Sequence, residues 1–384
     1  MRSHAALLLA ALVLIGLPAL VAANHVALQE LREVLPRDAI PAVRMPNFAK
    51  GDYLDGRELV IGLEIDSDAR AYPVKILNHH EIVNDVVGGV PVAVTFCPLC
   101  NTAIVYDRAV GGQILTFGVS GLLFKSNLVM YDEETESFWI QITSEAVQGP
   151  LHGTILERIP ATVIEWNGWK ERYPESLLLD YPIRQCEPSR EGDVPIIEGF
   201  DCIDYNQNPY GGYIISDDVS FGGVYDDRIL HPKSVVLGVK VDGEVMAFPY
   251  ETLAEEVVIN DRVGSLNIVV AFYDSSAKAF ERGDLTFEWD EGRFMVDNFG
   301  RRWDMVTGEG VGVRLEEVTS TMSFWFAWAE FNEGSGVYGI REPLSAERQS
   351  PLVAYTVVAA LAIPAVALYF RRRGKVPREP PEKI

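Results

Sequence analysis

The fold of this chain is decided by one stretch, His79-His80-Glu81-Ile82-Val83-Asn84-Asp85-Val86-Val87-Gly88-Gly89-Val90-Pro91-Val92-Ala93-Val94-Thr95-Phe96-Cys97-Pro98-Leu99-Cys100. Two runs rich in β-branched residues flank Gly88-Gly89, and a glycine pair readily adopts the positive φ angles of a tight hairpin turn. A two-residue turn places His80 opposite Cys97, so both side chains are predicted to share one sheet face. The opposite face is predicted to be apolar core, formed by Val83, Val92, Val94 and Phe96.

The two ends of the chain predict export and membrane anchoring. Residues 1–23 have the pattern of a secretory signal peptide, with an apolar stretch after Arg2 and small residues before the cleavage site. Residues 351–370 carry no charge and predict a transmembrane helix, and the basic tail 371–384 marks the cytoplasmic side. We therefore expect a single-pass cell-membrane protein with an extracytoplasmic body and a cytoplasmic C-terminus.

Composition narrows the class of protein further. The chain has 33 basic and 55 acidic residues and a formal net charge of −22, so a nucleic-acid partner is not expected. With 32 glycines and 22 prolines, many short strands separated by turns are predicted. We expect a β-rich α+β fold with minor helices, in which Pro160–Tyr173 is the clearest helical segment. The sequence identifies no protein partner.

An internal duplication organises the body. The string Ile82-Val83-Asn84-Asp85 recurs as Val258-Ile259-Asn260-Asp261, with matching apolar runs before and after it. The predicted order is a leader (24–56), a first β repeat (57–180), a connector (181–231) and a second β repeat (232–340).

The duplication also separates folding residues from candidate functional ones. At a constant offset, the second repeat has Glu255, Glu256, Tyr273 and Ser276 at the positions of His79, His80, Cys97 and Cys100. It also lacks the segments around Lys125-Ser126-Asn127 and His152. The chemistry is therefore predicted to lie in the first repeat, with the second as scaffold.

Several strings resemble a known family. They are His80-Glu81-Ile82-Val83-Asn84-Asp85, Cys97-Pro98-Leu99-Cys100, Phe117-Gly118-Val119-Ser120-Gly121-Leu122, Leu128-Val129-Met130-Tyr131-Asp132 and Gly149-Pro150. Together they are similar to a family of exported bacterial and archaeal proteins, domain of unknown function 3179, over about Arg57 to Gly339. The resemblance implies fold and export more than any particular chemistry.

The first functional interpretation is a transition-metal site. Cys97 and Cys100 have the spacing of a thiolate clamp, His80 is predicted to oppose Cys97, and His79 or His152 completes the set. Thiolate and imidazole ligands suit zinc or copper.

Two other interpretations stay open. A Cys-Pro-x-Cys pair outside the cytoplasm also fits a thiol–disulfide oxidoreductase. Alternatively, Cys97 and Cys100 form an inert structural disulfide in a non-enzymatic binding or scaffold module. Whether the protein is an enzyme is not decided by the sequence.

Other polar residues have candidate roles. Lys125, Asn127 and Ser120 are predicted to contact a substrate or anion near the thiols. Cys186 and Cys202, in the connector, are predicted to form a structural disulfide.

Overall fold

The computed structural model describes residues 30–51, 53–184, 202–219 and 229–340. The predicted signal peptide (1–23), transmembrane helix (351–370) and cytoplasmic tail (371–384) lie outside these ranges, as does Cys186. Within the described ranges, no helix is long and apolar enough to cross a membrane.

The structure is 46% strand and 12% helix, which confirms the predicted β-rich fold with minor helices. The chain divides into two compact units. The first takes the chain up to Ser234 together with Tyr273–Ser276 and Thr321–Phe331. The second takes Val235–Phe272, Ala277–Ser320 and the chain from Asn332 onward.

The elements before Ser234 form most of the first unit. In chain order they are β1 (Arg32–Glu33), β2 (Phe48–Ala49), β3 (Leu59–Ile65), β4 (Asp68–Pro73), α1 (Val74–His80), β5 (Ile82–Val87), β6 (Val90–Cys97), β7 (Thr102–Asp107), β8 (Ala109–Val110), β9 (Gln113–Ile114), β10 (Phe117–Phe124), β11 (Asn127–Asp132), β12 (Phe138–Ile140), β13 (Glu145–Gln148), β14 (Arg158–Ile159), β15 (Thr162–Glu165), α2 (Trp166–Arg172), β16 (Leu177–Leu179) and α3 (Gly211–Ile214). The sheet orders are β1-β10-β11-β12-β13, β14-β7-β6-β5, β15-β3-β4-β16-β2 and β8-β9.

The elements after Ser234 are, in chain order, β17 (Val235–Val241), β18 (Glu244–Pro249), α4 (Tyr250–Glu256), β19 (Val258–Val263), β20 (Leu266–Tyr273), β21 (Ser276–Glu281), β22 (Phe287–Glu291), β23 (Phe294–Asp297), β24 (Arg302–Asp304), β25 (Glu309–Gly310), β26 (Val313–Arg314), β27 (Ser320–Phe324), α5 (Trp325–Phe331) and β28 (Gly336–Val337). In the second unit β19, β20 and β21 form one sheet, and β22 to β26 form another in sequence order. Strand β18 pairs with β17 and with β28.

The predicted hairpin is confirmed as β5 and β6. Ile82 pairs with Thr95 and Val87 with Val90, in the predicted register. The turn glycines Gly88 and Gly89 have φ angles of 54° and 85°, the left-handed region that the turn requires. The predicted core face joins the hydrophobic core of the first unit, with Val83, Val92, Val94 and Phe96 all buried.

The predicted pairing of His80 with Cys97 is wrong, because the ladder stops at Ile82. His79 and His80 end helix α1, which follows Pro73 and buries Ile76, Leu77, Asn78 and His80. The backbone then turns at Glu81, whose φ angle is 55°. The side chain of His80 therefore follows the helical period, which differs from the period of the strand.

The predicted helix over Pro160–Tyr173 is also corrected. The segment is first a strand, β15, which pairs with β3. It becomes helical only at α2, which buries Trp166 and Trp169 on one side. The β-branched residues Thr162, Val163 and Ile164 fit the pleated sheet better than a short helix.

The order of elements recurs in the second unit. The series β17, β18, α4, β19 and β20 repeats the lengths and order of β3, β4, α1, β5 and β6. Tyr273 ends β20 as Cys97 ends β6. However, β21 begins at Ser276 after a shorter turn, whereas β7 begins only at Thr102. Ser276 is therefore the counterpart of Thr102, and Cys100 lies in a turn extension that the second unit lacks.

An asparagine holds the corresponding strand in each unit. The Asn84 side chain bonds both the N–H and the carbonyl of Phe117, at 2.8 Å each. Asn260 makes the same two bonds with Phe287, also at 2.8 Å. Asn84 is buried and Asn260 is exposed. If the side-chain amide is removed, water can therefore bond the two backbone groups in the second unit only.

Replacing each asparagine by alanine tests this comparison. We expect Asn84→Ala to lower the free energy of unfolding by about 2–3 kcal/mol, because two buried backbone groups lose their partner. Asn260→Ala should cost less than about 1 kcal/mol. Urea unfolding of the two variants measures both losses, and equal losses would contradict the role of burial.

Candidate functional site

Cys97 and Cys100 lie together at the end of strand β6. The N–H of Cys100 donates to the carbonyl of Cys97 at 3.2 Å, and the N–H of Phe324 donates to the carbonyl of Cys100 at 2.8 Å. Both cysteines are free thiols. Their exposed fractions are 1% and 0%, so neither sulfur reaches solvent in this state.

The two sulfurs converge on one backbone carbonyl. The Sγ atoms of Cys97 and Cys100 lie 3.8 Å and 3.2 Å from the carbonyl oxygen of Ser126. Ser126 and Lys125 form the tight turn between β10 and β11, with φ angles of 61° and 49°. These are the positive φ angles of a two-residue hairpin turn, and the turns at Asp66-Ser67 and Asp274-Ser275 have them too.

The environment of Cys100 favours the protonated thiol. Burial raises the pKa of Cys100 well above its ordinary value, and the neighbouring Cys97 raises it further. A hydrogen bond with Asn127 acts in the opposite direction. Cys100 is therefore held as a neutral thiol in hydrogen-bond contact with Cys97.

A buried polar network holds Asn127 against the thiols. The Gln141 amide bonds the hydroxyl and the carbonyl of Thr102, the hydroxyl of Thr95 and the amide of Asn127, over 2.7–3.1 Å. All four residues are fully buried. Every bond joins two residues of the first unit, so the network fixes the wall of the site from within.

A buried carboxyl group belongs to a residue that is bonded to strand β6 beside Cys97, because the carbonyl of Glu81 accepts from the N–H of Phe96 at 2.8 Å. Glu81 has an exposed fraction of 7%, and burial raises its pKa from 4.5 to about 7. The hydroxyl of Tyr210 donates to Glu81 Oε1 at 3.0 Å. Burial, Glu81 and Cys97 all raise the pKa of Tyr210.

A second tyrosine and a lysine complete the surroundings. Burial raises the pKa of Tyr213, and electrostatic interaction with Cys100 and Cys97 raises it further. Lys233 Nζ lies 3.4 Å from the centre of the Tyr213 ring. Burial lowers the pKa of Lys233, while nearby groups including Cys100 raise it.

Two of the three predicted histidine ligands are bound elsewhere. His80 Nδ1 donates to the carbonyl of Pro41 at 2.7 Å, and Nε2 accepts from the hydroxyl of Tyr205 at 2.8 Å. Both ring nitrogens are thus occupied, and burial lowers the pKa of His80 to about 4. His79 Nε2 donates to the carbonyl of Gln207 at 2.9 Å. The structure therefore does not bring either ring to the cysteines.

The remaining predicted site residues divide into two groups. Ser120 Oγ donates to the carbonyl of Val129 at 2.5 Å, within a bulge of β10, and Lys125 Nζ donates to the carbonyl of Glu330 at 3.1 Å. These two contacts are structural, whereas Asn127 contacts Cys100. His152 lies in the loop after β13, where its N–H bonds the carbonyl of Gly149 at 3.1 Å.

No group of three or more His, Cys, Asp or Glu side chains suited to a metal occurs in the part of the chain that the structure describes. Cys202 is disulfide-bonded, but its predicted partner Cys186 lies outside the described residues, so that pairing stays a prediction.

The sequence analysis missed the residues that surround the dithiol. Tyr205, Tyr210 and Tyr213 were assigned to a connector, and Lys233 to the start of the scaffold repeat. The closely spaced tyrosines were the available signal, because aromatic residues in a glycine-rich connector need a surface to pack against. No functional role was predicted for Glu81.

A family model matches residues 37–335 of the chain, with the description Protein of unknown function (DUF3179). The match includes both cysteines, Glu81, the tyrosines and Lys233. The chain belongs to the DUF3179 family. The predicted family is confirmed, and the match starts at residue 37, before the predicted Arg57, so it includes β2, which the leader contributes to a sheet of the first unit. No curated protein and no solved structure matches this DUF3179 chain.

Proposed function

We propose that this DUF3179 protein is a thiol–disulfide oxidoreductase whose redox centre is the Cys97–Cys100 pair. The observation that supports it is the convergence of two free, buried thiols on the Ser126 carbonyl. A dithiol and a disulfide are both uncharged, and a buried site favours uncharged groups over isolated thiolates. The site therefore suits both end states of a two-electron exchange.

The reaction transfers two electrons and two protons to a substrate disulfide. Because burial keeps the proton on Cys100, Cys97 makes the first attack on the substrate and releases one substrate thiol. Cys100 then attacks the mixed disulfide at the sulfur of Cys97. The second substrate thiol leaves, and Cys97 and Cys100 end as a disulfide. The reverse sequence oxidises a substrate dithiol.

Glu81 and Tyr210 supply a route for the proton of Cys97. A general base is most effective when its pKa lies near the working pH, and the pKa of Glu81 is about 7. Tyr210 already donates to Glu81, and the carbonyl of Glu81 accepts from the N–H of Phe96, the residue before Cys97. It passes its proton to the carboxylate as it receives the thiol proton.

The proposal includes the predicted location of the protein. A signal peptide over 1–23 and an anchor over 351–370 place the body outside the cytoplasm, where disulfide exchange takes place. The disulfide at Cys202 is consistent with such a compartment.

A mixed-disulfide trap tests the proposed function. Reduced Cys100→Ser protein, incubated with oxidised glutathione, should accumulate one glutathione on Cys97, because the second thiol is missing. Wild type should instead form the internal disulfide and release two glutathione thiols. Intact-mass spectrometry distinguishes the products. If neither protein reacts after long incubation, the oxidoreductase proposal fails.

A soft monovalent cation such as Cu(I) is the second candidate, because two converging thiolates suit it. The Lys233 ammonium near Cys100 would offset the net negative charge. Zinc is less well suited, since a structural zinc site takes four ligands and the described residues offer no such set. Elemental analysis after loading under reductant tests this alternative, and Cys97→Ser should abolish retention of the metal.

A further inference from the structure

The proposed exchange needs a substrate sulfur to touch Cys97, yet both cysteines are almost completely buried. Something that covers them must move before a mixed disulfide forms. The segment that bears Tyr210 and Tyr213 is the candidate. Tyr210 bonds Glu81, whose carbonyl accepts from the N–H of the residue before Cys97. Tyr213 packs on Lys233, which also lies over the ring of Phe324, the residue whose N–H bonds the Cys100 carbonyl. We call Tyr205–Asp218 the covering segment.

Tyr205, at the start of the covering segment, is buried in the hydrophobic core of the first unit, but the rest of the segment has little hydrophobic anchoring of its own. Its helix α3 spans only Gly211–Ile214 and contains no buried residue. Ile215 and Asp217 are exposed. Segments with few buried apolar contacts open more easily than the core, so this segment depends on a few specific polar bonds.

Lys233 makes the most concentrated set of those bonds. Its Nζ donates to the carbonyls of Tyr213, Ser216 and Asp218 at 3.0, 3.2 and 3.0 Å. An ammonium group has three donors, so all of them are directed to the covering segment. Lys233 itself is fixed to the body, because the adjacent carbonyl of Ser234 accepts from the N–H of Trp325 at 2.8 Å.

We propose that the covering segment is a lid on the Cys97–Cys100 dithiol and that Lys233 is the latch that keeps it closed. This inference rests on the proposed function for its purpose, but the closing of the lid is a separate physical property. When the three bonds open, Tyr213 leaves the thiols and a substrate disulfide reaches Cys97. Lys233 is thus a positioning residue that acts through the lid.

Thiol labelling of Lys233→Met tests the latch. We expect iodoacetamide to modify the reduced Cys97–Cys100 pair at least about tenfold faster than in wild type at the same pH, equivalent to about 1.4 kcal/mol of easier opening. The matched control is Lys278→Met. Lys278 is a similarly buried lysine in the second unit, where it pairs with Glu317, and its loss should leave the labelling rate unchanged.

Two results would overturn the inference. One is a wild-type labelling rate in Lys233→Met, and the other is an equal acceleration in Lys278→Met, which would indicate general loosening.

If Lys233→Met does not fold, the inference is tested on the wild-type protein instead. Labelling at low urea concentrations should depend weakly on urea, as for a local opening, and should match hydrogen exchange of the covering segment. A dependence as steep as global unfolding contradicts the lid. Labelling detects access alone, so it stays informative if no disulfide exchange occurs.

Discussion

In the Glu81→Gln variant, the free energy of unfolding should rise by about 3 kcal/mol as the pH increases from 4 to 6.5. In the wild-type protein, the same quantity should stay nearly constant from pH 4.5 to 6.5. The cause is a cancellation between two buried neighbours. Burial lowers the pKa of His80 from 6.5 to about 4 and raises that of Glu81 from 4.5 to about 7.

The signs of the two contributions are opposite. Unfolded His80 binds its proton below pH 6.5 and folded His80 only near pH 4, so its stabilisation is complete above pH 6.5 and lost as the pH falls through 4. The contribution of Glu81 is complete below pH 4.5 and lost as the pH rises through 7. Between pH 4.5 and 6.5 the two residues change the free energy of unfolding with opposite slopes, which cancel. In Glu81→Gln only the slope due to His80 remains.

Urea unfolding at several pH values measures how the free energy of unfolding changes with pH. His80→Gln should give the reverse slope, with stability falling as the pH rises through 7. Glu251→Gln is the control, because Glu251 is exposed on α4 and should leave the wild-type profile unchanged. A profile of Glu81→Gln that runs parallel to the wild-type profile would show that Glu81 is ionised in the folded protein, and the proposed proton route would lose its base.

Gln141→Met should destabilise the first unit by about 3–5 kcal/mol, because it leaves buried donors and acceptors without their partner at about 1–3 kcal/mol each. The substitution copies the second unit, where Met305 stands at the matching position and is also buried. In the second unit, Ala271 stands at the position that matches Thr95. Because alanine has no hydroxyl group to bond, the apolar side chain of Met305 suits the second unit.

The comparison needs two further variants. Met305→Leu should cost less than about 1.5 kcal/mol, as is typical of a volume-conserving core change. Adding Thr102→Val to Gln141→Met should recover part of the loss, since removing both partners of a buried bond is milder than removing one. Unfolding in urea gives the losses. A cost for Gln141→Met as small as that for Met305→Leu would contradict the role of the network.

The hairpin was predictable because its pattern is local. Gly88-Gly89 and the β-branched runs on either side determine the turn, the register and the core face together. The order of elements in the second unit was similarly visible, because Asn84 and Asn260 lie in matching apolar contexts. These features depend on residues near one another in sequence.

The error at His80 arose at a change of period. Val74–His80 has a helical distribution of buried residues, but the strand that follows dominates the pattern. The sequence of the second unit indicates a helix at the matching positions, where the good helix formers are Glu251, Ala254, Glu255 and Glu256. Once α1 ends at Glu81, the imidazole of His80 is directed to Pro41 and Tyr205, away from Cys97.

The surroundings of the dithiol could not be derived from spacing. Tyr210 meets Glu81 across more than a hundred residues, and Lys233 approaches Cys100 across a comparable distance in sequence. Such contacts depend on how the covering segment packs against residues that are distant in sequence, and no local sequence pattern specifies that packing.

The central claim is that Cys97 and Cys100 interconvert between dithiol and disulfide. The most direct measurement equilibrates the protein in glutathione buffers of graded potential, traps free thiols with acid and an alkylating reagent, and maps the cysteine peptides. We predict one transition in which both thiols disappear together, with about 30 mV for a tenfold change in the ratio of the two forms, and a Cys97–Cys100 linked peptide. Thiols that remain alkylatable at every potential, or an oxidised form without that linkage, would contradict the claim.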